Sequence, residues 1–203
     1  MNLWLLIPVK PLCQAKSRLA GHLSPAERAE LSCRLLTNVL SAARSAGVLA
    51  GILVVSRDES VLAQVRAAGF RSVSERGRGL NRALRQARRE AVTRGADAVL
   101  VLPADLPWIT AQDVCELYQR GLNGPGVVIA PSHDGGTNAL LLRPPDAIEF
   151  AFGPHSFRRH RLLAQAAGLP VQVFDSPTLA MDVDWPEDLR MLRSEMPLSA
   201  LGV

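Results

Sequence analysis

The chain has 203 residues, 48% hydrophobic and 21% charged, which fits one globular domain with a proper core better than two. Its formal net charge of +4 comes mainly from arginine, which suits an anionic ligand such as a nucleotide or a phosphorylated acid, and equally a solvated arginine surface. Cys13, Cys33 and Cys115 are odd in number and widely spaced with no CxxC pair, which suggests neither a disulfide framework nor a zinc site and fits a reducing cytoplasm.

In chain order, Leu3 to Val9 is too short to span a membrane and lacks the flanks of a targeting peptide, so it reads as a first strand, with no membrane partner. "SPAE" then places Ser24 at an N-cap, Pro25 at the first helical position and Glu27 at the capping-box position of a helix running to about Ala46 and closed by Gly47. A strand at 51–55 and a helix at 59–68 follow, closed by Gly69. The next helix, from about Leu80 to Arg94, puts Leu80, Ala83, Leu84, Ala87 and Ala91 on one face and Arg78, Arg82, Arg85 and Arg89 on the other. That basic side has no interleaved aromatic residues for base stacking, and no nucleic-acid partner is expected. Strands at 97–102, 126–131, 138–142 and 170–174, a helix near 156–167, a terminal helix from about Pro186 and a loose tail over 196–203 complete the pattern. Alternation in the first half implies parallel βαβ units. The expected architecture is a single-domain α/β three-layer sandwich with a mixed, mostly parallel sheet.

Ligands of open α/β sheets collect beyond the carboxyl ends of the strands. After the first strand, "IPVKPLCQAKSRLAGHL" carries Lys10, Lys16 and Arg18, cations able to hold a triphosphate and the charge moving onto a leaving pyrophosphate, or simply a basic surface loop. "ERGRGLNRAL" supplies Gly77 and Gly79 for close backbone approach and Asn81 to read a base or ribose edge, although a glycine turn capping the next helix reads equally well. "VLVLPADLPWI" ends a strand on Asp105 between Pro103 and Pro107, where a metal between nucleotide phosphates would sit; the bland alternative is capping of the Pro107 turn. "LAMDVDWPEDL" gives Asp182 and Asp184, which project to one side of an extended segment and with Asp105 could form an all-oxygen site for Mg²⁺. Asp184 also reads as the N-cap before Pro186. "HDGGTNALLLR" offers Thr137 and Asn138 beside Gly135 and Gly136, and "FGPHSFRRH" places Gly153 and Ser156 at a helix N-terminus suited to an anion. His155 and His160 read as surface or packing histidines, and neither a P-loop nor a nucleophile elbow is present.

The ordered blocks "PVKPL" with "AKSRLAGHLSPAER", "GLNRAL", "LPADLP", "GTNALLLR", "FGPHSF" with His160, and "DVDWPEDL" extend over nearly the whole chain, which resembles the 2-phospho-L-lactate guanylyltransferase family (CofC type) of coenzyme F-420 biosynthesis. The resemblance implies a MobA-like nucleotidyltransferase, Rossmann-like fold. It implies GTP as donor and a phosphorylated three-carbon acid, 2-phospho-L-lactate, phosphoenolpyruvate or 3-phosphoglycerate, as acceptor. It casts Asp105, Asp182 and Asp184 as Mg²⁺ ligands and Thr137, Gly153 and Ser156 as acceptor-binding residues; Asn138 joins them from the same block. Lys10, Lys16, Arg18, Gly79 and Asn81 are assigned to GTP, Lys16 and Arg18 also to catalysis. One turn departs: relatives commonly have "GTGTN" after an Asp-containing loop, whereas this chain has "PSHDGGTN", one residue shorter, which bears on the acceptor pocket.

An ionised acceptor phosphate is already a nucleophile, so attack on the α-phosphorus of GTP needs no general base, in keeping with the missing nucleophile signature. The rival readings are another MobA-like nucleotidyltransferase, a glycosyltransferase with a DxD pair, and a non-catalytic nucleotide-binding regulatory module. A free sheet edge or helix face leaves room for a homodimer.

Overall fold

The computed structural model describes residues 1–195, and the tail expected at 196–203 lies outside them. Strands β1 (Leu3–Val9), β2 (Gly51–Ser56), β3 (Arg71–Ser74), β4 (Ala98–Val101), β5 (Gly126–Pro131), β6 (Thr137–Arg143) and β7 (Val171–Val173) form one sheet in the order β3-β2-β1-β4-β6-β5-β7. Pairing is parallel from β3 to β4, antiparallel where β6 meets β4 and β5, and parallel again between β5 and β7. The reversal has a local cause: residues 132–136 join β5 to β6, too short a link for the crossover that parallel strands need.

Helices α1 (Pro25–Ala46), α2 (Glu59–Ala67) and α4 (Ala111–Gly121) pack on one face, and α3 (Leu80–Thr93) with α5 (Ser156–Ala166) on the other. Alternation along β1 divides the two cores: Leu3, Leu5 and Ile7 meet α1 and α2, while Trp4 and Leu6 meet α3. The short α6 (Pro177–Ala180) leads to α7 (Pro186–Glu195), which buries Leu189 and Leu192 with Leu19, Leu23, Leu31, Leu35 and Val183 in a satellite core.

The three-layer mixed sheet matches the expectation, and the α1 capping box is present in full. The expected buried face of α3 is corrected at Leu80, the first residue of the helix, which is 41% exposed, whereas Ala83 and Leu84, a turn further in, are buried. The pattern reading passed over β3, α4 and α6. For α4 the signal was available in Thr110 and Asp113, a second capping box; β3 is short and polar, and α6 is a single turn.

Asp113 does more than cap. Its carboxylate accepts from the Thr110 hydroxyl and backbone N–H, and from the hydroxyls of Ser176 and Thr178, each at 2.7 Å, tying α4 to α6 and so to the segment carrying Asp182. Burial pushes this carboxyl up, but the hydrogen bonds from Thr110, Thr178 and Ser176 outweigh it and hold the pKa below its ordinary value. A depressed carboxyl contributes stability above its unfolded pKa and loses it on acidification. Asp113→Ala should therefore lower stability by about 2–3 kcal/mol at pH 7, read as a lower denaturant midpoint. The difference from the parent should shrink below about pH 4, and an unchanged midpoint would show that the clasp carries no stability.

Candidate active site

The carboxyl ends of β1 and β4 open side by side, and their loops are built as a unit. Beyond β4 the Leu102 N–H donates to the Leu6 carbonyl at 3.2 Å. The turn that follows is held from α1, where the Asn38 amide donates to the carbonyls of Leu106 (3.1 Å) and Pro107 (3.0 Å). The Val183 N–H donates to the Asp105 carbonyl at 3.3 Å, docking the "DVD" segment on the same turn. Val183 is fully buried in the satellite core, and the carboxylates on either side of it meet Asp105: one oxygen from each of Asp105, Asp182 and Asp184 lies within 4.8 Å of the others. The capping role read for Asp184 falls instead to Asp188, whose carboxylate accepts the N–H groups of Asp184 (2.9 Å) and Trp185 (2.7 Å). Asp105 likewise does not cap the Pro107 turn with its side chain, which goes to Lys16.

The Lys16 Nζ lies 2.5 Å from Asp105 and 3.3 Å from Asp184, with its side chain only 5% exposed. Burial disfavours its charge, but the two facing carboxylates override this and raise its pKa above the usual lysine value. The residue sits at φ 50°, in the left-handed region that costs a non-glycine residue about 1 kcal/mol. Its loop is tied down by Asp58, the N-cap of α2, which accepts the Leu12 N–H at 2.8 Å. Arg18 donates to Asp184 at 2.9 Å and lies 4.4 Å over the Trp185 ring. Lys10 is exposed and takes no part in this cluster. Asp182 has no such cation of its own: burial, and then the charges of Asp105 and Asp184, push its carboxyl up to about 6.

The second half of the site starts one residue along β6. Its pairing with β5 shifts from Ala130–Ala139 to Pro131–Thr137, so Asn138 is an extra residue in a β-bulge. The bulge decides which of two neighbouring side chains takes which face of the sheet. Asn138 donates to the Leu179 carbonyl (2.8 Å) and to Asp182 (3.4 Å), on the carboxylate side. Thr137 instead meets Ser156 and His160 of α5, each at 3.1 Å. The Phe157 N–H donates to the Gly135 carbonyl at 3.4 Å, so the "GGTN" and "FGPHS" blocks are in direct contact. Asp134 closes the short turn by accepting from the Ser132 hydroxyl and the Gly136 N–H. Gly153 has φ 125° and accepts the Ser156 N–H; a side chain there would be both strained and pressed on Arg159.

Asn81 is put to a use the sequence did not suggest: its amide accepts from the Phe152 N–H (2.8 Å) and donates to the Phe152 carbonyl (3.1 Å), fixing the "FGPHS" turn to the start of α3. Gly79, at φ 104°, is the N-cap beside it. The structure thus gathers Lys16, Arg18, Asp105, Asp182 and Asp184 in one cluster, and Thr137, Ser156 and Gly153 in another, with Asn138 reaching from the second to the first. Asn38, Asp58 and Asp113 were missed as supports because the partners they brace are backbone groups or hydroxyls distant in sequence, whereas Asp188 was missed although its partners are only three and four residues away. No helix among the described residues is long and apolar enough to cross a membrane.

A family model for CofC-like guanylyl transferases matches residues 3–194. A phosphoenolpyruvate guanylyltransferase of Sphaerobacter thermophilus is 45% identical over 196 residues, 96% of this chain and 94% of that one. Another from Rubrobacter xylanophilus is 46% identical over 195 residues, covering 96% and 95%. A 2-phospho-L-lactate guanylyltransferase of Methanothermobacter thermautotrophicus is 40% identical over 185 residues, covering 91% and 81%. Among solved structures, a protein assigned as a nucleotide-diphospho-sugar transferase from Desulfovibrio desulfuricans superposes with a TM-score of 0.76 at 22% identity, covering 98% of this chain and 89% of that one. A nucleotidyl transferase from a Methanothermobacter species gives 0.68 at 13% identity, covering 95% and 96%. The structural likenesses establish the fold, a nucleotidyltransferase α/β sandwich, and the sequence match establishes more: this chain belongs to the CofC-like guanylyl transferase family.

Proposed function

We propose that this protein transfers GMP from GTP to the phosphate of a phosphorylated three-carbon acid, releasing pyrophosphate, on the route to coenzyme F-420. The observation that carries the reading is the junction at β6, where adjacent residues Thr137 and Asn138 link the Thr137–Ser156 hydroxyl pair to a carboxylate cluster. Phosphoenolpyruvate is the acceptor of first choice, because the relatives at 45% and 46% identity carry that name and the 2-phospho-L-lactate enzyme is at 40%. Three free cysteines, one of them exposed, suit a reducing cytoplasm.

The donor set of Asp105, Asp182 and Asp184 is all oxygen, which fits a hard divalent cation. Mg²⁺ held there would neutralise charge on the nucleotide phosphates and on the departing pyrophosphate. Lys16 and Arg18 reach the same space and supply fixed positive charge for the phosphates. Thr137 and Ser156 hold the acceptor by its anionic oxygens, with Gly153 letting the backbone approach closely. One phosphate oxygen of the acceptor attacks the α-phosphorus, a new P–O bond forms, and the bond to the β-phosphate oxygen breaks with its electron pair leaving on pyrophosphate. No proton need move, so positioning and charge account for the catalysis.

Incubation with GTP, Mg²⁺ and each of the three acids separately should give pyrophosphate and a guanylylated product identified by mass, most strongly with phosphoenolpyruvate; folded, GTP-binding protein that turns over none of them would overturn the reading. Asp105→Asn should reduce turnover by at least about 100-fold while leaving the unfolding transition in place. Asp182 gives a prediction of opposite sign. A carboxyl pushed up to about 6 in the fold binds its proton more tightly there than in the unfolded chain, so stability is lost as pH rises from about 4 through 6. In metal-free protein, Asp182→Asn should therefore raise stability by about 1–3 kcal/mol at pH 7 and by nothing below about pH 4. In chemical unfolding with and without Mg²⁺, the same variant should lose the metal-dependent gain; a variant less stable than the parent at pH 7 would show that Asp182 is structural.

A further inference from the structure

The hydrogen bonds around His160 fix more than a packing position. Its ring is fully buried on α5, edge-on to Phe152 at 4.8 Å between centroids. Nε2 lies 3.0 Å from the Ala151 backbone nitrogen, and a backbone N–H can only donate, so Nε2 carries a lone pair and the single proton of the neutral imidazole is on Nδ1. Nδ1–H then donates to the Thr137 hydroxyl oxygen at 3.1 Å. Between Thr137 and Ser156 one hydroxyl proton is used in their mutual 3.1 Å contact, and the other is left over. With the opposite tautomer, Ser156 would donate to Thr137 and Thr137 to Nδ1, consuming both protons and presenting only lone pairs. Burial, with the nearby Arg159 charge, lowers the His160 pKa to about 4, so the ring stays neutral at physiological pH.

We propose that His160 is a positioning residue that sets the polarity of the Thr137–Ser156 pair, so that the pair offers a hydroxyl proton to an anionic oxygen of the acceptor. The inference rests on the reading of Thr137 and Ser156 as acceptor-holding groups. It assigns a role to a residue whose side chain touches no substrate. A donor directed at a charged oxygen is worth about 10- to 100-fold in affinity, and a pair presenting lone pairs alone would repel it.

The test uses the whole protein with phosphoenolpyruvate as probe. Long-range ¹H–¹⁵N correlation spectra at pH 7, with the His160 signals identified by their loss in His160→Asn, should show a neutral ring protonated on Nδ1. His160→Gln, whose amide reaches the Nε2 position but not the Nδ1 position, should raise KM for phosphoenolpyruvate about 10- to 100-fold with KM for GTP unchanged. His160→Asn, which restores a donor near Nδ1, should recover most of that loss. Melting curves identify any variant that fails to fold, in which case the wild-type tautomer decides the matter. An Nε2–H tautomer or a charged ring in the spectra would overturn the inference, as would unchanged phosphoenolpyruvate affinity in the glutamine variant or equal loss of both substrates in both variants. Wild-type protein that neither binds nor turns over phosphoenolpyruvate would instead overturn the functional reading, and the tautomer, read without substrate, keeps the two failures apart.

Discussion

Three half-buried carboxylates with oxygens within 4.8 Å of one another repel unless positive charge lies among them. The rest of the site is arranged around that constraint. Lys16, held in a left-handed backbone conformation, brings its ammonium between Asp105 and Asp184, and Arg18 covers Asp184 from the solvent side while resting on Trp185. Asp182 has no ion-pair partner of its own, and its raised pKa records first its burial and then the charges of Asp105 and Asp184. A fold selected for stability alone would not gather these groups; native proteins accept such a cost at functional sites.

Holding the cluster together takes contributions from α1, α2, α4 and α7. Asn38 on α1 fixes the turn that carries Asp105, the Asp113 clasp fixes the approach to Asp182, Asp188 caps α7 in place of Asp184, and Asp58 anchors the loop of Lys16. Each support uses an amide or carboxylate against a backbone group or hydroxyl, interactions that specify position closely at modest net energy. The apolar counterpart is Val183, whose burial in the satellite core sets the direction of both neighbouring aspartates.

The bulge at Asn138 is what makes one site of two clusters. Without it, strand alternation still puts Thr137 and Asn138 on opposite faces, but the register with β5 that the rest of β6 keeps would exchange their faces. With the bulge, Asn138 reaches Asp182 on the side of α6, and Thr137 joins Ser156 and His160 on the side of α5. The carboxylate cluster and the Thr137–Ser156 hydroxyls are thereby linked through two adjacent residues at one sheet end.

Local chemistry carried much of this in the sequence. The Ser24 capping box, the apolar runs and the loops after strands located most elements, because helix caps and strand alternation are short-range effects. Asp105, isolated at the end of an apolar strand, and the Asp182–Asp184 pair stood out because a charge there has no packing use. The four-residue β3 and single-turn α6 carried too little periodicity to be found, and α4 was passed over despite its capping box. Partnership is what the sequence could not express. That Lys16 lies between carboxylates 89 and 168 residues away, that Asn81 braces Phe152, and that His160 on α5 meets Thr137 on β6 were decided by tertiary structure alone. The physical reason is that residue type and spacing fix what a side chain can do, whereas only the folded chain fixes which donor faces which acceptor, and so which of those capacities is used.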